Sequence, residues 1–151
     1  NPYPPVRRVI TGHNKEGKSV VIRDEPIKPI YWTPTDLCPS YDIYRTNEHP
    51  AVVDTELTQG EWVDDIAQDP TVFSENGSTF RSIDTPPGNV VALHRTLSID
   101  YAIVTKGSVV LELDDGKRVT LNAGDVAVQR GTLHGWRNES TEWSRTFFVA
   151  L

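Results

Sequence analysis

A chain of 151 residues with 15 basic and 21 acidic side chains carries a net charge of −6, the wrong sign for gripping nucleic-acid phosphates. No apolar run reaches the roughly 20 residues of a membrane-spanning helix, and the opening NPYPPVRR has no signal-peptide pattern. The length suits one buried core. The single cysteine, Cys38, permits no intrachain disulfide, which points to the cytoplasm.

In chain order, stretches 7–11 and 19–23 flank a polar turn and predict a hairpin. Short strands are predicted at 30–32 and 41–45, separated by the turn-rich TPTDLCPS. From Ala51 to Gly77 the alternation loosens, and 61–68 could form a short helix, in an acidic excursion over the barrel surface or a lid at its mouth. Strands resume at 79–83, 90–96, 101–105, 109–113, 118–121, 126–129 and 143–149. Asp115-Gly116 sits between two alternating runs, where Gly supplies the positive φ of a tight hairpin turn. Many short strands and almost no helix predict an all-β sandwich or barrel.

Chemistry-bearing residues concentrate between Gly88 and Asn138. On an extended strand His94, Thr96, Ser98 and Asp100 project to one face, together with Val90 and Ala92. These side chains are mostly small, which leaves space beside the histidine. His134, Trp136 and Asn138 share a face in the later stretch. Gly88, His94, Asp100 and Gly107, followed by Gly131, His134 and Asn138, resemble the paired motifs of the cupin superfamily. The match has departures: Thr96 stands where the second histidine of the first motif is expected, and Asp100 replaces Glu. In the second motif Gln129 replaces Pro, and the interval from Gly124 is one residue short.

The resemblance implies an all-β, double-stranded β-helix of the jelly-roll type, with an N-terminal β-hairpin and one loop or short-helix excursion. It implies one cupin domain over 1–151, the barrel core at about 78–151 and the N-terminal strands and excursion at 1–77. The residues at ligand positions are His94, Asp100 and His134, which could hold a divalent metal such as iron, zinc, manganese or nickel. No organic cofactor is expected. The same three could instead act as acid–base groups, and Asp100 could be a strand-end carboxylate that accepts backbone N–H bonds. Thr96, Ser98 and Trp136 are candidates for the pocket lining, Trp136 alternatively for plain core. Arg81 and Arg145 could each clamp a substrate carboxylate through the planar guanidinium fork, or be exposed strand arginines. Asn138 is expected to fix a turn, Arg95 and Tyr101 to point outward, and His13 and His49 to sit in solvated loops.

Three functions stay open. The first is lyase or isomerase chemistry (decarboxylation, dehydration or isomerisation) on a small organic acid or polyketide-like intermediate. This follows from similarity to small fungal and bacterial cupins that accompany biosynthetic or catabolic enzymes. The second is a non-haem iron dioxygenase using two His and one carboxylate. The third is a metal-free small-ligand binding or sensing module. The expected partners are a small-molecule substrate and a second copy in a homodimer, with neither nucleic acid nor membrane.

Overall fold

The computed structural model describes residues 1–53, 62–69 and 71–151. Strands β1 (Arg7–His13) and β2 (Ser19–Pro26) form a separate two-stranded antiparallel sheet. Strand β3 (Ser40–Thr46) and helix α1 (Asp65–Gln68) precede β4 (Ser78–Thr85), β5 (Val90–His94), β6 (Ile99–Lys106) and β7 (Ser108–Leu113). Then come β8 (Arg118–Asn122), β9 (Val126–Arg130), β10 (His134–Arg137) and β11 (Ser144–Ala150). One sheet runs β5-β10-β7-β8 and the other β3-β4-β11-β6-β9, all pairings antiparallel.

This is the expected jelly roll, with strands feeding alternately into two facing sheets. Because β3 pairs with β4, the barrel takes in a strand outside the expected 78–151 core. The predicted strand at 30–32 reduces to one bridge, Ile30 to Ser40; Pro29 and Pro34 on either side each lack the N–H a ladder needs. The predicted 61–68 helix shortens to α1, and its first residue lies outside the described residues. The β7–β8 turn runs through a single 3-10 turn with Asp115 at φ 58° and Gly116 at φ 71°. Asp is among the few non-glycine residues that accept that region cheaply.

Which side of each strand faces the core follows from contacts. Val104, Val109 and Leu121 are buried together, with Leu111, Ala127 and Trp136 packed on them. Trp136 on β10 meets Phe148 on β11 edge-on, ring centroids 5.3 Å apart. Phe148 therefore looks inward, and so do its register partners Arg81 and Ala102. On the outer face of the five-stranded sheet, Val6 covers Tyr41 and Ile43, with Ile27, Phe80 and Phe147 around them.

Arginines secure the hairpin and the excursion. Arg8 donates to Glu25 on its own hairpin, to Asp64 beside α1 and to the Ile43 carbonyl of β3. Its guanidinium and that of Arg23 lie 5.2 and 5.4 Å from the Trp62 ring centre, and that ring stacks on Tyr44. Among the described residues no helix is long and apolar enough to cross a membrane.

Candidate active site in the barrel

His134, on β10 between β5 and β7, pairs directly with His94. Their ring centroids are 4.4 Å apart and the planes are inclined by 53°. A bulge in β5 sets this juxtaposition: the register advances from His134–His94 to Trp136–Val91, so β5 spends an extra residue opposite Gly135. Val91, and not the expected Val90 and Ala92, thus shares the Trp136 face. The bulged backbone presses so close that a Cβ on residue 135 would lie 2.8 Å from the Val91 carbonyl oxygen. Only glycine fits there.

Both imidazoles are oriented the same way. His94 Nδ1 lies 2.9 Å from the Ala92 carbonyl oxygen, and His134 Nδ1 lies 3.0 Å from that of Thr132. A carbonyl can only accept, so each Nδ1 carries the proton, and a ring in its neutral form presents its lone pair at Nε2. His134 is buried while His94 is exposed. Burial pushes the His134 pKa below its usual value, opposed by the Thr132 hydrogen bond; His94 adds to the lowering and Asp100 opposes it. Near pH 7 His134 is therefore neutral.

Asp100 lies at the head of β6 and within electrostatic reach of His134. Its Oδ1 accepts from Ser98 Oγ at 2.7 Å and its Oδ2 from Thr96 Oγ1 at 3.2 Å. Thr96 and Ser98 thus hold the carboxylate, and its acceptor bonds come from side-chain hydroxyls rather than from the backbone N–H groups of a strand end. Opposite Asp100 on β9 stands Gln129, buried, whose Nε2 donates to the Thr132 carbonyl at 3.0 Å. That oxygen also receives His134 Nδ1–H. Trp136 stands edge-on to His134 at 6.1 Å and belongs to the packed core.

Two imidazole lone pairs and a hydroxyl-bound carboxylate offer a partial donor set. Among the described residues no three His, Cys, Asp or Glu side chains gather as a metal-holding group. The described geometry therefore does not assemble the His94, Asp100 and His134 ligand set implied by the sequence. Asp is one methylene shorter than Glu, and both its oxygens are turned to Thr96 and Ser98.

A family comparison reads the same region. The Cupin_2 family, a cupin domain, matches residues 82–150. The oryzines biosynthesis cluster protein J of Aspergillus oryzae is 32% identical over 151 residues, covering 99% of this chain and 84% of that protein. The chain belongs to the cupin family. Phomopsin biosynthesis cluster protein D of Diaporthe leptostromiformis is 37% identical, with 95% of this chain and 77% of that protein covered. The cupin-domain-containing oxidoreductase virC of Hypocrea virens is 35% identical, with 91% and 71% covered. Among solved structures, a Salmonella typhimurium protein described as an ethanolamine utilization protein Q superposes with a TM-score of 0.55. It covers 98% of this chain and 97% of its own at 12% identity, a likeness of fold alone.

Two further candidates in this cupin resolve differently. Arg81 does face the barrel interior, but its fork is engaged: Nε meets Asp42 Oδ1 at 2.7 Å and Nη2 donates to the Thr71 carbonyl at 2.7 Å. Trp32 covers the guanidinium at 4.9 Å. Burial pushes the Asp42 carboxyl up and the Arg81 guanidinium down, each against the pull of the other. Arg145 has the opposite parity from Phe148 and points out of the barrel, so it is not a pocket residue. It grips Asp84 with two bonds of 2.6 Å beneath Tyr3 and Tyr41. Neither arginine is the exposed strand residue that was the alternative.

Asn138 ties the turn it was expected to fix: its amide donates to the Thr85 and Glu142 carbonyls, and its Oδ1 accepts from Ser140. Arg95, Tyr101 and His49 are exposed. Cys38 is buried, and desolvation pushes its thiol up to about 12, which makes it a poor nucleophile. Asp42 and Gln129 were the residues missed. An aspartate inside the apolar run YDIYR is a readable sign of a buried ion pair. Gln129 stood out only as a departure from the family motif.

Proposed function

We propose that the protein is an enzyme that moves a proton on a small organic acid or polyketide-like intermediate, as in isomerisation, dehydration or decarboxylation. The observation that carries this is the His94–His134 pair, two imidazoles in contact whose Nε2 lone pairs are both left available by backbone anchoring. Neutral His134 is suited to accept a proton at Nε2. Asp100, which favours the charged form of His134, would steady the imidazolium that results. In isomerisation the proton returns to a different carbon of the same substrate; in dehydration it leaves with the departing hydroxyl as water. Exposed His94 offers an exchange route to solvent. Arg81, though on the inner face, is committed to Asp42 and Thr71 and takes no part in this step. Relatives named for biosynthetic clusters support a role in transforming a small molecule.

The test is proton exchange. Candidate β-hydroxy and β-keto acids incubated with the protein in deuterated water are expected to gain deuterium beside the carbonyl, followed by NMR. His134→Gln should abolish the gain while the fold persists. Equal incorporation by His134→Gln would refute the assignment.

Oxidation is a second reading, favoured by relatives named oxidoreductases. Oxygen consumption with the same substrates, measured beside the metal content of protein purified without chelators, separates the two.

A further inference from the structure

We propose that Gln129 is a ligand-contacting residue, its side-chain Oε1 accepting a hydrogen bond from a hydroxyl group of the molecule bound in the barrel. This rests on the reading above that the barrel takes a small molecule, and it specifies what kind.

The register places Gln129 beside Asp100, which in turn lies beside Ala150 on β11. Ala150 shares the parity of Phe148, so this row faces the interior with Trp136. The amide cannot be flipped without loss, because Nε2 donates to the Thr132 carbonyl and a carbonyl oxygen would not accept from Oε1. Oε1 is thereby held at the other end of the group. It is buried and meets no donor among the described residues. Buried acceptors are paired in nearly all folded proteins, so such an atom calls for a partner.

The surroundings indicate which partner. The neighbours that the contacts tie to Gln129 are acceptors: the Asp100 carboxylate opposite it, and His134, which shares the Thr132 carbonyl with it and leaves Nε2 unbound. The two hydroxyls within this cluster, on Ser98 and Thr96, already donate to Asp100. A wall of acceptors is complementary to a ligand that brings donors. Asp100 and Thr96 are half-buried and His94 is exposed, so the site reaches solvent along β5 while Oε1 itself is enclosed beneath. A hydroxylated compound fits this wall, whereas an ether or ester of the same shape leaves Oε1 unpaired.

The experiment compares two probes of one ring size, resorcinol and 1,3-dimethoxybenzene, by titration into isotope-labelled protein. Resorcinol is expected to shift the Gln129 side-chain amide and the His134 ring, and to bind roughly three- to ten-fold more tightly, the worth of one buried neutral hydrogen bond. Gln129→Met, similar in length but without the amide, should lose that preference. Equal binding of the two probes, a preference retained by Gln129→Met, or no binding of resorcinol at millimolar concentration would overturn the proposal. So would a Gln129 response to zinc or manganese ions alone, which would make the acceptor wall a cation site. None of these readouts needs turnover, so the proposal can fail while proton exchange by His134 stands, and the reverse.

Discussion

Removing the Asp84 carboxylate should cost this protein a large part of its stability without touching the barrel site. Asp84 is completely buried and Arg145 is 7% exposed, and the two are joined by paired bonds of 2.6 Å between β4 and β11. Arg145 also donates to the Pro4 carbonyl, and its guanidinium lies 5.3 Å from the ring centres of both Tyr3 and Tyr41. Asn1 donates to Asp84 Oδ2, the oxygen that Arg145 Nη2 also holds. In Asp84→Ala the guanidinium stays buried with one carbonyl for company, and breaking such a pair from one side typically costs about 3–5 kcal/mol. For a domain of this size that lowers Tm by roughly 6–20 °C. Asp84→Leu combined with Arg145→Met removes both charges and should recover most of the loss, giving a coupling of about 3 kcal/mol in a double-mutant cycle. Urea and thermal unfolding followed by circular dichroism would measure it. A loss below about 1 kcal/mol for Asp84→Ala would refute the reasoning. So would an Arg145→Met variant of normal stability that no longer acts on substrate, because it would return Arg145 to the site.

Other outcomes follow from the same geometry. Gly135→Ala drives a Cβ against the Val91 carbonyl, so it should cost about 1–3 kcal/mol and separate the two imidazoles; unchanged stability and ring signals would mean that the β5 bulge is not pressed against β10. Because the folded-state pKa of His134 lies below 6.5, the unfolded chain binds the proton first as pH falls. The stability gained from a neutral His134 is thus complete above about pH 6.5 and lost as pH drops through the lowered value. Denaturation at a series of pH values should show that slope in the parent and a flatter one in His134→Gln; equal slopes would contradict it. On the outer face of β6 and β9, Tyr101 pairs with Val128 and Ile103 with Val126, all four exposed. The N-terminal segment covers the other half of that sheet face, and we expect a second copy to cover this half. Light scattering should give a dimer, and Val126→Lys with Val128→Glu a monomer; a monomeric parent would end the expectation.

The fold was readable because alternation and turn chemistry agree along most of the barrel. Strands β4 to β9 and β11 emerge within a few residues of their bounds, and Asp115-Gly116 marks its hairpin. Strand β10 was not readable as a strand: four residues, HGWR, carry too little alternation, and its glycine is there for the β5 backbone. The same bulge defeats strict parity along β5, since an extra residue reverses which side chains face in. The His94–His134 meeting was legible through motif spacing, because paired strands bring residues far apart in sequence into register. Asp100 lies within electrostatic reach of His134, but its two hydroxyl partners depend on how the 95–98 turn folds back, which spacing does not encode. The sequence left Arg145 open between a clamp and an exposed strand arginine, with no sign of its buried pairing with Asp84. Parity counted from one end of a strand says which residues share a face, and only a contact such as Trp136 with Phe148 says which face is inside.

The ring tautomers of His134 and His94 test the central claim most directly, by long-range proton–nitrogen NMR correlations on labelled protein across a pH series. The backbone anchoring predicts that both neutral rings carry the proton on Nδ1 with Nε2 unprotonated, and that His134 titrates below 6.5. A proton on Nε2 of neutral His134 would leave no lone pair facing the site, and a titration above 6.5 would contradict its burial as a neutral base. Either result would contradict the acid–base assignment.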